Sequence, residues 1–169
     1  MPNLADLLSL HREAIAASWT ERAQQLPNTH YRTVPLDDLR VWLLQGLDAL
    51  IAAMTTHSDE SLDKYLFDIG RRRLLMEFDI REVIEALLLC KEAVLPLIWR
   101  SFVPGSTEAY EAVNELDGHV RHVIGRFGHL YAEMMLLQVR EQQQRTDLML
   151  DAAERASHSP EPDQILSPL

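Results

Sequence analysis

The side chains best placed to do chemistry are Glu115, His119, His122, His129 and Glu133, which fall within about 80° of one another if this stretch is helical. His119 and His122 stand one turn apart, the spacing at which two imidazoles can share a transition metal, and Glu115 is the nearest carboxylate. Arg126 sits inside the same stripe, and no Glu-x-x-His pair of the kind used by carboxylate-bridged bundle sites occurs. An ordinary polar flank is therefore expected, with a pH-responsive histidine cluster or a metal-binding bundle enzyme using Glu115, His119 and His122 as alternatives. Nucleophilic and phosphate chemistry find no support: there is no G-x-S-x-G, no P-loop and no glycine-rich dinucleotide fingerprint. Cys90 follows Leu87-Leu88-Leu89 and reads as an inert buried thiol, since reactive thiols occupy exposed, electropositive sites. The triplet Arg71-Arg72-Arg73 could be taken for an anion site, but neighbouring helical residues diverge by about 100° and cannot all face one ligand. Solvated charges at a helix end, near Asp68 and Glu77, are expected instead. No catalytic residue and no cofactor are expected, and the chain does not read as an enzyme.

Positioning these residues falls to a run of helices. Leu4 to Gln25 forms the first, with Pro2 and Asn3 at its start and Trp19 as a core anchor. The segment Leu26 to Pro35 is a loop. Leu36 to His57 forms the second helix, where Gly46 marks a close helix crossing. Ser58 or Asp59 caps a third, ending near Met76. Asp79 with Glu82 three residues on makes a capping box, so a fourth helix starts at Ile80 and turns Val83, Leu87, Val94 and Ile98 inward. Val103-Pro104-Gly105-Ser106 is a stop, and from Thr107 to about Ala156 no proline interrupts a helix of roughly 75 Å at 1.5 Å per residue.

That last helix carries a seam of Val113, Leu116, Val120, Val123, Phe127, Leu130, Met134 and Leu137, close to the spacing of a coiled coil, and it is read as a dimer interface. Residues Arg140 to Asp147 are polar on every side, the pattern of a solvent-crossing connector. The expected organisation is a helical domain over 1–138, a connector helix over 139–156, and a disordered tail or linker start over 157–169, where Gln164-Ile165-Leu166 resembles the opening of another element.

Composition limits the partners. With 169 residues and 47% apolar content the chain suits one domain able to bury roughly two-thirds of its unfolded surface. A formal net charge of -10 opposes polyanion binding, so no nucleic-acid role is expected. No stretch reaches 18 uninterrupted apolar residues, no basic leader precedes an apolar run, and one cysteine makes no internal bridge. A soluble, cytoplasmic protein without membrane partners is expected.

Ile69-Gly70-Arg71-Arg72-Arg73, followed by Phe78 and an apolar helix, resembles the Ile-Gly-x-x-His segment of globin-coupled sensors, whose histidine ligates haem iron. The matching residue here is Arg73, which cannot act as an ordinary axial ligand. The chain from about Leu4 to Arg145 accordingly resembles the haem-less N-terminal sensor domains of RsbR-type stressosome co-antagonists and related sensor histidine kinases. That resemblance implies an all-α, globin-like bundle of about five main helices with a long C-terminal exit helix. It further implies a homodimer that receives a signal, through an unknown small ligand or protein contact, and relays it to an output domain or partner protein. A haem- or apolar-ligand-binding globin-type sensor is the alternative on the same fold.

Overall fold

Asn3 opens the first helix as expected: its side-chain oxygen accepts the Asp6 amide at 2.8 Å, satisfying one of the donors that every helix start leaves over. The computed structural model describes residues 3–157. Among them all regular structure is helical: α1 (Leu4–Leu10), α2 (Arg12–Gln24), a 3-10 turn (His30–Thr33), α3 (Leu36–Thr56), α4 (Glu60–Leu75), α5 (Ile80–Ser101) and α6 (Thr107–Ser157). The protein is an all-α bundle, and no helix among the described residues is long and apolar enough to cross a membrane. Two compact units can be distinguished, one ending at Ala132 and one beginning at Glu133.

The expected first helix is two. His11 leaves helical geometry at φ -104° and ψ 16°, which divides the two helices, although Ile15 still donates to its carbonyl at 2.9 Å and the hydrogen-bond ladder survives. On α2, Trp19 is buried and its indole N–H donates to the Ala86 carbonyl of α5 at 2.6 Å, which satisfies the polar edge of a core aromatic. α2 packs on α3 and α5, α3 packs on α4, and α1 closes over α3. Leu8, Ile15, Leu39, Leu47, Leu66, Val94 and Ile98 supply the solvent-free centre.

Gly46 on α3 is the close crossing its position suggested. A Cβ there would stand 2.6 Å from the Tyr65 hydroxyl oxygen of α4.

At Asp79 half of the expected capping box forms. The Asp79 carboxylate accepts the Arg81 amide at 2.7 Å, but Glu82 does not turn back to the cap. Its carboxylate is buried and accepts the His30 main-chain N–H at 3.0 Å, pinning the 3-10 turn to α5. α5 then runs through Pro96, whose ring nitrogen has no proton for the turn before it. Gly105, at φ 80°, makes the turn into α6, where Ser106 accepts the Ala109 amide at 3.2 Å.

Side chains tie the first part of α6 to the bundle. Lys91 of α5 meets Asp117 at 2.5 Å and holds that carboxyl below the usual range. His122 meets Asp59 at 2.9 Å, and Arg126 grips both oxygens of Asp63 on α4. Further along, every residue from Met135 to Ser157 is exposed. The expected tail falls outside the described residues apart from Ser157, which ends α6.

Candidate functional site

Three places in the molecule bear on function: the end of α4, the histidine stripe of α6, and a narrow cavity beside Tyr65.

At the end of α4 the chain reverses through a left-handed residue, Glu77 at φ 58°. Phe78 donates its N–H to the Arg73 carbonyl at 3.0 Å and Glu77 donates to the Leu74 carbonyl at 3.2 Å, the paired bonds of a Schellman motif. This closure folds Phe78 back over the side chain of Arg73. The guanidinium carbon lies 4.6 Å from the centre of the Phe78 ring, 4.3 Å from Trp42 on α3 and 4.9 Å from Tyr31 on the 3-10 turn.

Arg73 is the largest wholly buried side chain among the described residues, and its Nε, Nη1 and Nη2 have no hydrogen-bond partner. The expectation of three solvated arginines therefore fails for one of them. Arg71 and Arg72 are exposed, with Arg72 over the Trp42 ring at 5.0 Å, while Arg73 is enclosed. Sequence reasoning missed the enclosure because its walls come from three separate segments. Of the three rings only Phe78 lies near the triplet in the sequence; Tyr31 and Trp42 stand some distance before it.

Physically, the rings replace water. A desolvated cation over an aromatic face gains about 2 kcal/mol, and three faces together offset much of the several kcal/mol that burying an ion costs. Burial raises the Tyr31 hydroxyl above its usual range, and the charge of Arg73 works against that rise. Next to the cage, the His30 ring lies 5.0 Å from Phe78 while its Nδ1 sits 3.1 Å from Glu82.

These residues do not fit a haem. A guanidinium has no lone pair to offer iron, and here it is already packed against three rings.

The histidine stripe faces a different environment. His119, His122 and Glu115 line an open groove of about 480 Å³ together with His57 and Asp59, with Leu50, Met54 and Leu62 as apolar floor. His122 is taken by Asp59, and His119 Nε2 stands 3.9 Å from Glu115. Arg126, whose place in the stripe argued against a metal, is occupied with Asp63. His129 is exposed. Among the described residues no three ligating side chains converge on a common point.

Tyr65 of α4 provides the third feature. Its hydroxyl is fully buried without a hydrogen-bond partner, and burial drives it well above the ordinary tyrosine range. Leaving such a group unpaired costs about 1–3 kcal/mol. It borders a narrow cavity of about 20 Å³ whose walls include Trp19, Gly46, Leu87 and Cys90. Cys90 is buried as its apolar surroundings suggested, and burial pushes its thiol up to about 12.

The α6 seam is largely consumed inside the chain. Leu116, Val120, Val123, Phe127 and Met134 are buried, Val113 and Leu130 are half-buried, and Leu137 alone of the eight is exposed, at 56%. Spacing that suits a dimer seam equally suits a helix covering its own core. No protein-family model, no curated protein and no solved structure matches this chain.

Proposed function

We propose that this chain is a non-catalytic regulatory module, a cytoplasmic sensor and dimerisation domain of a bacterial stress-response or two-component signalling protein, of the haem-less globin-like kind that its sequence resembles. The observation that supports this reading is α6. One uninterrupted helix passes from buried positions such as Leu116 and Phe127 to a stretch, 135–157, that is exposed on all sides. A helix of that design has no core of its own to build over its last turns, so its stability there depends on what it meets.

In this reading a cue favours one of two dimer packings, and α6 carries the difference to an output domain or partner protein. The cue acts only through its differential affinity for the two states. With five seam residues already buried, the dimer contact falls on Leu137 and the exposed Met135, Leu136 and Val139 around it. Sedimentation of the full chain at high micromolar concentration is expected to give a dimer, and Leu137→Glu is expected to weaken it by roughly tenfold or more, a loss of about 1.4 kcal/mol. A monomer across that range overturns the reading.

The alternative of a haem- or apolar-ligand-binding sensor on the same fold finds little room, since the cavity at Tyr65 is about 20 Å³ and the surroundings of Arg73 speak against its haem form.

A further inference from the structure

From Met135 to Ser157 every residue of α6 is exposed, yet the charges are not spread evenly around the helix. Heptad positions counted from Leu136 give one seam of Leu136, Val139, Gln143, Thr146, Leu150 and Ala153, without a charged side chain. The line along one side of it, Met135, Gln142 and Met149, is uncharged too. Along the other side run Arg140, Asp147 and Glu154, spaced by heptads. The seam of the earlier part of α6, carried on past Leu137, instead meets Glu141, Asp151 and Arg155 and ends there as an apolar face.

The rim charges select a partner. Their order runs from positive to negative along the helix, and a copy laid parallel sets them beside the uncharged Met135, Gln142 and Met149 line, where they gain nothing. A copy laid antiparallel, about a two-fold axis at the level between Gln144 and Arg145, sets Arg140 beside the partner's Asp147 and Asp147 beside the partner's Arg140. Sliding by one heptad either way sets Asp147 against Asp147 or Arg140 against Arg140. The same register seats Leu136 on the partner's Ala153, Val139 on the partner's Leu150 and Gln143 on the partner's Thr146. Large meets small at the ends, and polar meets polar in the middle. One like-charged meeting, Glu154 with the partner's Glu133, falls at each end of the overlap, where water and salt screen it.

We propose that this face of α6 binds a second copy of the same chain antiparallel, through the seam from Leu136 to Ala153, with Arg140 and Asp147 paired reciprocally at its edge. The proposal rests on the reading of α6 as the dimer contact, and it gives that contact a face and a direction. Leu137 stands outside the seam and one turn before Arg140, so a carboxylate introduced there draws Arg140 away from the partner's Asp147. Half of the six seam residues are Gln, Thr or Ala, which makes a small interface of the class that associates weakly.

The test uses the full chain and sedimentation at high micromolar concentration. Arg140→Glu leaves two negative groups at the paired positions and Asp147→Arg leaves two positive ones, so each is expected to weaken its own dimer by roughly tenfold. An equal mixture of the two proteins is expected to restore the dimer to within about threefold, because each reversed charge then meets its opposite. Leu136→Cys mixed with Ala153→Cys in a glutathione buffer is expected to give a disulfide between the two different chains, while Cys90 stays buried. The proposal is overturned if the mixture stays monomeric while the native chain dimerises, if either charge reversal leaves the dimer untouched, or if each cysteine variant cross-links only to itself, the mark of a parallel pair. Those results remove the antiparallel contact and leave a dimer built some other way, whereas a native chain that is monomeric throughout removes both.

Discussion

Arg73 and Arg126 carry the same cation and solve opposite problems with it. Arg126, on α6, is about a third exposed and holds the Asp63 carboxylate with two nitrogens, a fork-to-fork pair in contact with water. Arg73, on α4, has no solvent and no hydrogen bond, only the faces of Trp42, Phe78 and Tyr31. The first side chain can be exchanged for another pairing with little consequence. The second is the centre of a small core of its own, and the Schellman turn at Glu77 exists in a form that seats Phe78 upon it. Charge alone says little about an arginine; what replaces its water decides its role.

Substituting Arg73 should produce the largest effect. Arg73→Ala is expected to cost about 3 kcal/mol in chemical denaturation, since it empties the enclosure as a large-to-small core change does. Arg73→Met fills most of that volume without a charge, and is expected within about 1 kcal/mol of the native protein, because a buried ion and an apolar replacement often come out nearly even. If Met proves as damaging as Ala, the cation and not the packing holds this corner, and the contrast with Arg126 becomes sharper. Should both prove harmless, the enclosure has no structural weight and the comparison collapses.

Asp63→Asn is the matching change at Arg126, and it should cost under about 1 kcal/mol in low salt and less at high ionic strength, as expected of a part-exposed pair. A loss that ignores salt and rivals Arg73→Ala would break the distinction between the two arginines.

The smallest effect concerns ionisation of Tyr31. Burial raises its hydroxyl above the ordinary tyrosine value, and the Arg73 charge partly lowers it again. A phenol whose folded value is raised contributes stability that is fully present below pH 10 and is lost as pH climbs through the folded value. In Arg73→Met the opposing charge is gone, so that loss, which begins near pH 10 in both proteins, should extend to higher pH than in the native protein. Ultraviolet titration of tyrosine alongside unfolding curves would read this directly, and a shift downward would show that Arg73 is not acting on Tyr31 through its charge.

Much of the fold was legible in short-range signals. Asn3, Asp79 and Ser106 each accept an amide at a helix start, and the Val103 to Ser106 stop lies where proline and glycine placed it. Gly46 signalled a crossing, Trp19 a core anchor and Cys90 an inert thiol, because each is a statement about one residue's size or polarity in an apolar stripe. The break at His11 was not legible, since its hydrogen bonds continue through it and no proline or glycine marks it. Glu82 was misread because a capping box and a buried link to His30 require the same residue at the same place. The α6 seam was ambiguous for the same reason: its three-four spacing describes a face, not what covers it.

Sequence by itself determined an all-helical chain, the starts and stops of most of its helices, and the all-polar character of residues 140–147, since these follow from backbone donors, prolines and the period of the apolar residues. Tertiary structure alone decided which arginine of three would be enclosed, that Tyr65 would keep a hydroxyl without a partner, and that most of the α6 seam would face its own core. Those outcomes depend on side chains from distant segments meeting in space, as Tyr31, Trp42 and Phe78 do around Arg73. Local spacing cannot encode such meetings, because they are set by how the helices cross and not by the order of residues along any one of them.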